Sequence, residues 1–339
     1  MGVTLVGYGF AGRTFHAPVI RATAGLSLGV VVSHDPGKVR ADLPGVAVVA
    51  SLRDALALPD VEVVVVATPN HTHATLACEA LERDKHVVVD KPFTVTLDEA
   101  RHVVSLAQRR NRLVSVFQNR RWDADFLGVQ EVLAEGLLGE IAQVESHFDR
   151  YRPDVRARWR EQPGPGSGLW FDLGPHLIDQ VMLLFGAPRR VIASLGALRA
   201  GATTDDWAHV ILEYDRLRIV LQASLLVAGG SPRFVLHGTK GSWVKRGLDV
   251  QESQLIAGMR PGDPEWGVDP LAAELFLGGQ THATERRVPA GDYRQYYARL
   301  RDAVRGDGPN PVTPEQALGV MTVLEAAHVS AREGRAVSL

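Results

Sequence analysis

Val3-Thr4-Leu5-Val6-Gly7-Tyr8-Gly9-Phe10-Ala11-Gly12 sets a short apolar run directly before three glycines in the spacing G-x-G-x-x-G. The run reads as a strand, and glycines at a strand-to-helix turn each have a task. Gly7 permits the tight turn, Gly9 lets backbone approach a pyrophosphate, and Gly12 lets helix and strand pack closely. The amides of the helix start, around Phe10 and Ala11, meet negative charge. Pro18, about two turns on, is expected to distort that helix.

A lone glycine triplet is a weak signal, so its surroundings decide. Residues 3–6, 28–32, 63–67, 86–89 and 113–117 are short β-branched or apolar runs, the pattern of strands buried on both faces. Between them, residues 51–58, 74–83 and 97–110 carry apolar side chains at helical spacing, and Thr96 with Glu99 reads as a capping box. The alternation predicts an α/β fold whose first domain, residues 1–119, is a Rossmann doubly wound parallel sheet. From 120 to 339 the texture changes to longer alternating segments at 140–150, 190–198, 208–214, 217–226 and 234–238. These predict a second α/β domain with a large, open, mostly antiparallel sheet, a helix over 170–185 after a glycine-rich loop, and a catalytic cleft between the domains. Residues 258–279 read as a surface excursion with a helix at 271–277. A last amphipathic helix, 314–332, is free to pack back on the first domain.

Composition narrows the function. The 339 residues carry 37 Lys+Arg against 39 Asp+Glu, so no positive excess is available to bind nucleic acid by counterion release. Cys78 is the only cysteine, which excludes an intrachain disulfide or a thiolate metal cluster and fits a cytoplasmic protein. On the apolar face of its helix it reads as a small hydrophobe. No window approaches a membrane span, and Met1 is followed by a strand-like segment rather than a basic stretch and long apolar run. Neither membrane association nor export is expected.

The end of the second strand bears on cofactor choice, because a carboxylate about 20 residues past the glycines binds the ribose hydroxyls and repels a phosphate there. Ser33 stands at that place, with His34 beside it and Lys38 a turn away, a donor set suited to the 2′-phosphate of NADP. Asp35 argues for NAD if it points back to the ribose; before Pro36 it fits a turn or helix cap equally well. His71-x-His73 has no third ligand at hand, so it reads as a cofactor-loop pair or a cap and no metal is expected.

Three further segments, Thr68-Pro69-Asn70-His71-Thr72-His73, Asp90-Lys91-Pro92 and Gly168-Leu169-Trp170-Phe171-Asp172-Leu173-Gly174-Pro175-His176, complete a resemblance. Together with the glycine motif, the whole chain resembles the glucose-fructose oxidoreductase, inositol dehydrogenase and MocA family of NAD(P)-dependent oxidoreductases. Within it, residues 12–18, Asn119-Arg120-Arg121-Trp122-Asp123 and Gly334-Arg335 are most similar to the branch containing NADP-preferring scyllo-inositol dehydrogenases, and Pro18 belongs to that pattern. The resemblance implies that Thr68, Pro69, Asn70, His73, Asp90 and Lys91 join the cofactor site. Lys91 also reaches the substrate, and Asp90 stands for the usual glutamate with a side chain one methylene shorter. It further implies that His176 takes the proton of a substrate hydroxyl while Asp172 orients it, that Asp179 matches a downstream aspartate, and that the open sheet is covered in a homodimer or homotetramer.

The residues alone reach part of this. Asp172 and His176, four apart, share a helix face if the helix includes both, and a lysine ammonium can stabilise an alkoxide. The 140–150 strand puts Gln143, Glu145, His147 and Asp149 on one polar face, either solvated or binding substrate. In the family that the chain resembles, the active-site end of the sheet follows this strand, so the resemblance implies His147, Asp149 and Arg150, joined by Arg120, Arg121, Trp122 and Asp123, as candidate ligands for a sugar or cyclitol, Trp122 either stacking on the ring or packing in the domain junction. Hydride transfer between a nicotinamide and a secondary alcohol or carbonyl is the leading expectation. Redox-neutral glycoside cleavage with bound nucleotide and a non-catalytic nucleotide-binding regulator are the alternatives, and Lys91, Asp172 and His176 together disfavour the regulator.

Overall fold

The computed structural model describes all 339 residues, and the chain divides into two compact units. The first comprises residues 1–119, 251–266 and 292–318; the second comprises 120–250, 267–291 and 319–339.

In the first unit β1 (Gly2–Val6), β2 (Ser27–Val32), β3 (Ala47–Val49), β4 (Val63–Val66), β5 (His86–Val89) and β6 (Val114–Val116) form one parallel sheet in the order β3-β2-β1-β4-β5-β6. All four valines of β4 are buried, as a central strand covered on both faces requires. Around the sheet run α1 (Ala17–Ala22), α2 (Pro36–Asp42), α3 (Leu52–Leu56), α4 (His73–Glu82) and α5 (Leu97–Arg109). The Thr96–Glu99 capping box opens α5. Pro18 does disturb its helix, and the disturbance is a π turn at Gly12–His16 in which the Ala17 N–H donates to Gly12 O, after which Pro18 falls in the first turn of α1. The longer turn rotates His16 inward, where it is fully buried.

Residues 251–266 and 292–318 complete this unit. Asn310 Nδ2 donates to Val114 O on the edge strand β6, and Ser115 Oγ lies 2.9 Å from Tyr296 Oη and 3.3 Å from Val312 O. Phe117, Tyr296, Tyr297 and His16 form one aromatic cluster.

The second unit contains α6 (Ala124–Ala134), α7 (Leu169–Phe185) and a nine-stranded sheet. Its strands are β7 (Ile141–Asp149), β8 (Arg190–Gly196), β9 (Trp207–Glu213), β10 (Arg218–Ser224), β11 (Pro232–Gly238), β12 (Gly241–Arg246), β13 (Ala273–Leu277), β14 (Thr284–Arg286) and β15 (Val337–Ser338). The order is β14-β13-β12-β11-β7-β10-β9-β8-β15, antiparallel except for β7 beside β10. Residues 271–277, expected to be helical, contain β13 instead. Paired to β12, Ala273 and Leu275 turn inward and Glu274 outward, so sheet pairing overrides the helix preference of a Leu/Ala-rich stretch. The remaining helices are α8 (Gln251–Ile256) and α9 (Arg294–Arg305) in the first unit and α10 (Pro314–Glu333), whose first turn belongs to the first unit and the rest to the second. No helix is long and apolar enough to cross a membrane.

On β7, Val144, Ser146 and Phe148 are buried, and on β10 so are Ile219, Leu221 and Ala223, the face on which α7 packs. The opposite face carries a row of Ile192, Ile211, Val220, Glu145, Val235 and Val244 in register across six strands, none of them buried.

Candidate functional site

A cavity of about 980 Å³ opens at the carboxyl ends of β1, β2 and β4 in the first unit. Of the residues read from the sequence as cofactor contacts, Gly7, Gly9, Ser33, His34, Lys38, Thr68 and Pro69 line it. Two glycines are required by geometry. Gly7 has φ +97°, and a Cβ there would lie 2.5 Å from Ala67 O; at Gly12 it would lie 2.1 Å from Gly7 O, so helix and strand touch backbone to backbone. A Cβ at Gly9 would project into open space, so this turn leaves room for a diphosphate against the main chain.

At the end of β2 the Asp35 carboxylate is already engaged. Its Oδ1 accepts the Lys38 N–H at 3.0 Å as the N-cap of α2, while Ser33 Oγ accepts the Asp35 N–H at 3.1 Å. A cap of this kind stabilises a helix by about 1 kcal/mol, which holds the carboxylate in place. Arg53, from the first turn of α3, also lines the cavity with its side chain exposed, together with Ser51 and Asp54. Sequence reading missed Arg53 because the three-residue β3 before it carries too short a pattern to announce a strand. Ser51 and Asp54 occupy each other, Oγ to Oδ2 at 2.6 Å. Tyr8, also lining the cavity, is pushed up to about 12 by burial and then by Asp42, so its phenol stays protonated and donates to that carboxylate.

Phe10, Ala11, Gly12, Asn70, His73, Asp90 and Lys91 lie outside the cavity lining. Phe10 is exposed at the start of the helical segment. His73 has its Nδ1 2.9 Å from Pro92 O and its Nε2 2.9 Å from Thr68 O; burial lowers its pKa. It is thus a strap between the Thr68-Pro69 loop and the Lys91-Pro92 turn, while His71 is exposed. Asp90 and Lys91 follow β5, the Lys91 N–H donating to Asp90 Oδ1 at 2.8 Å.

In the second unit, α7 runs unbroken through Pro175, so Asp172 and His176 do lie one helical step of four apart. Gly168 (φ +98°) begins the helix without a side-chain cap of its own; Asp205 Oδ2 accepts the Trp170 N–H at 2.6 Å instead. Burial pushes the Asp205 carboxyl up to about 6. Asp172 keeps partial exposure with its Oδ1 3.5 Å from Arg160 Nε, and His176 is buried. Gln180, a further four residues along, donates to Arg120 O and accepts from Arg233. The Arg120, Arg150 and Arg233 guanidinium groups stand 4.7, 5.3 and 5.2 Å from the Phe148 ring centre. Arg120 and Arg150 are therefore brought to the face of the sheet that α7 covers. Arg233, fully buried and unread in the sequence, joins them and pairs with the buried Asp125.

Other expected substrate ligands are engaged elsewhere. His147 and Asp149 lie on the opposite face of the sheet from α7: His147 sits between Pro232 O (2.9 Å) and Glu145 (3.3 Å), and Asp149 accepts from Ser231 and Gln222. Strand alternation puts them there because Phe148 between them is core. They are removed from the set grouped with His176. Arg121 is locked in a buried two-bond ion pair with Asp179, 2.8 and 2.7 Å, and Trp122 is buried. Asp123, also buried, accepts from Arg120 at 3.2 Å.

Against known proteins, residues 1–118 match the description "Oxidoreductase family, NAD-binding Rossmann fold" and residues 130–339 match "Oxidoreductase family, C-terminal alpha/beta domain". The chain belongs to the GFO/IDH/MocA oxidoreductase family. It is 49% identical to the uncharacterized oxidoreductase YdgJ of Escherichia coli, over 97% of this chain and 96% of that one. It is 36% identical to the scyllo-inositol 2-dehydrogenase (NADP(+)) IolW of Bacillus subtilis, over 99% and 95%. A crystal structure of a Klebsiella pneumoniae protein superposes with a TM-score of 0.95 at 52% identity, covering 100% of this chain and 95% of that one. As a member of this family the chain is an NAD(P)-binding oxidoreductase, and the cavity at Gly9 lies in its Rossmann unit.

Proposed function

We propose that the protein oxidises a secondary alcohol on a sugar or cyclitol, reversibly, with NADP as the preferred cofactor. The observation that carries the reading is the α7 stripe: Asp172, His176 and Gln180 in succession, with Arg120 and Arg150 grouped around Phe148 on the covered face of the sheet. The relative named as an NADP-dependent scyllo-inositol dehydrogenase supports a polyol substrate. A nicotinamide cofactor held at Gly7, Gly9 and Ser33 would supply the hydride acceptor for the carbinol carbon. His176 takes the hydroxyl proton, Asp172 holds the imidazole in orientation, and the Lys91 ammonium stabilises the alkoxide as the proton leaves. Guanidinium donors at Arg120 and Arg150 suit the hydroxyls of an uncharged ring. NADP is favoured because Asp35 is spent as the α2 cap, leaving Ser33, His34, Lys38 and Arg53 to meet a 2′-phosphate.

A panel of inositols, aldoses and related polyols, read at the nicotinamide absorbance band, tests the reaction. We expect reduction of NADP with one or a few members; conversion of substrate with no change in nicotinamide absorbance would reject it in favour of redox-neutral chemistry.

The open sheet face carries Ile211, Val220, Val235 and Val244 in one row, interrupted only by Glu145 between Val220 and Val235, which a second copy of the chain would cover in a homodimer or homotetramer. Sedimentation at micromolar concentration is expected to give a mass of two or four chains, and Val220→Arg together with Val235→Arg to give monomer. A wild-type monomer would sink the assignment.

A further inference from the structure

His16 has no part in the reaction as described, yet it is fully buried with its two ring nitrogens facing different partners. Nδ1 lies 2.6 Å from Tyr297 Oη, and the ring stands 4.2 Å from Phe117, centre to centre. Tyr297 is itself completely buried, and burial holds its phenol well above the ordinary value, so it keeps its proton. A protonated phenol can donate to Nδ1 or accept from it; the carboxylate of Asp90 in front of the other nitrogen favours the imidazole proton on Nε2, which makes Tyr297 Oη the donor to Nδ1. Nε2 is too far from any acceptor for a hydrogen bond and stands 3.9 Å from Asp90 Oδ2, so a neutral ring presents the positive end of its N–H dipole to the carboxylate. The other Asp90 oxygen accepts the Lys91 N–H. Although burial opposes its charge, Asp90 is held below the usual carboxylate value, with His16 the largest favourable influence.

We infer that His16, oriented by Tyr297, is a positioning residue that turns the Asp90 carboxylate inward and thereby fixes the backbone carrying Lys91. The chain is Tyr297 to His16 to Asp90 to the Lys91 amide, with the His73 strap holding the next residue, Pro92. The acid of the Asp-Lys-Pro motif thus serves the protein's interior. The inference rests on the proposed role of Lys91. The π turn gains a purpose from it, since that turn brings His16 inward from a segment in which Arg13 is exposed and Thr14 half-buried.

Asparagine and glutamine separate the two ends of the relay. His16→Asn keeps an acceptor near Nδ1 but loses the donor toward Asp90, whereas His16→Gln keeps an N–H where Nε2 stands. We expect His16→Asn to lower kcat by about 10- to 100-fold with the cofactor KM little changed, and His16→Gln to restore most of the loss. A purely packing role would instead lower the melting temperature in both variants and leave kcat per folded molecule alone; that result, or equal kcat in the two variants, would overturn the inference. A second readout needs no substrate. In 15N-histidine-labelled protein the His16 ring, assigned by its disappearance in His16→Gln, is expected as the Nε2–H tautomer and to shift in Asp90→Asn and Tyr297→Phe. An Nδ1–H tautomer would refute the relay. An inactive polyol panel beside an Nε2–H His16 would instead count against the proposed reaction alone.

Discussion

Replacing His176 by glutamine is expected to lower kcat by about two to four orders of magnitude, the usual contribution of a positioned general base, while NADP binding stays near that of the wild type. The split follows from where the residue sits. His176 lies on α7 in the second unit, and the residues proposed to hold the cofactor line a cavity of the first. Glutamine approximates the reach of Nε2 and can hydrogen-bond a hydroxyl, but it cannot take its proton. Because His176 is buried, a truncation to alanine would also leave a cavity, so the glutamine variant is the cleaner test. Lys91→Met removes the ammonium while keeping the length of the side chain; a loss of about 10²- to 10³-fold is expected if it stabilises the developing alkoxide. Equal kcat for His176→Gln and wild type on any accepted polyol would show that another group moves the proton.

How much of this was legible in the sequence depended on how local each feature is. The six-stranded sheet follows from β-branched runs such as Val63–Val66, whose burial on both faces leaves a continuous apolar signature. Three-residue β3 left none. The chain's return through 251–266 and 292–318 was invisible for a different reason: it depends on Tyr296 meeting Ser115 and Asn310 meeting Val114, contacts about 180 to 200 residues apart that no periodicity encodes. On β7 the alternation of Val144, Ser146 and Phe148 with Glu145, His147 and Asp149 was plain, but alternation says only that two faces exist. The face that meets α7 is the one where Arg120 and Arg233 stand over Phe148 and Gln180 of α7 bonds to both arginines. His16 illustrates a further limit. Its neighbour Pro18 announced a distorted helix, yet only the five-residue turn that resulted determined that His16 would point at Asp90.

Cofactor preference should invert in Ser33→Asp. In the wild type, Ser33 lines the cavity beside Lys38 and Arg53, and of the two aspartates there Asp35 is turned to cap α2 while Asp54 accepts from Ser51. NADP is therefore expected to bind more tightly than NAD. A carboxylate at position 33 would stand within a few ångströms of the 2′-phosphate. Two unit charges about 4 Å apart repel by about 1 kcal/mol in water and about 4 kcal/mol near a protein surface, and each 1.4 kcal/mol is tenfold in affinity. NADP binding should thus fall by about 5- to 1,000-fold, while NAD gains a charge-assisted hydrogen bond to its ribose worth roughly 1.5–3 kcal/mol. Lys38→Ala and Arg53→Ala should each weaken NADP and spare NAD, with an effect that shrinks as salt is raised because both side chains are exposed. Fluorescence titration of the reduced cofactors reads all of these without any substrate. If wild-type protein binds NAD more tightly, the Asp35 carboxylate must leave its cap to meet the ribose; Asp35→Asn would then raise NADP affinity and shorten the gap between the two cofactors.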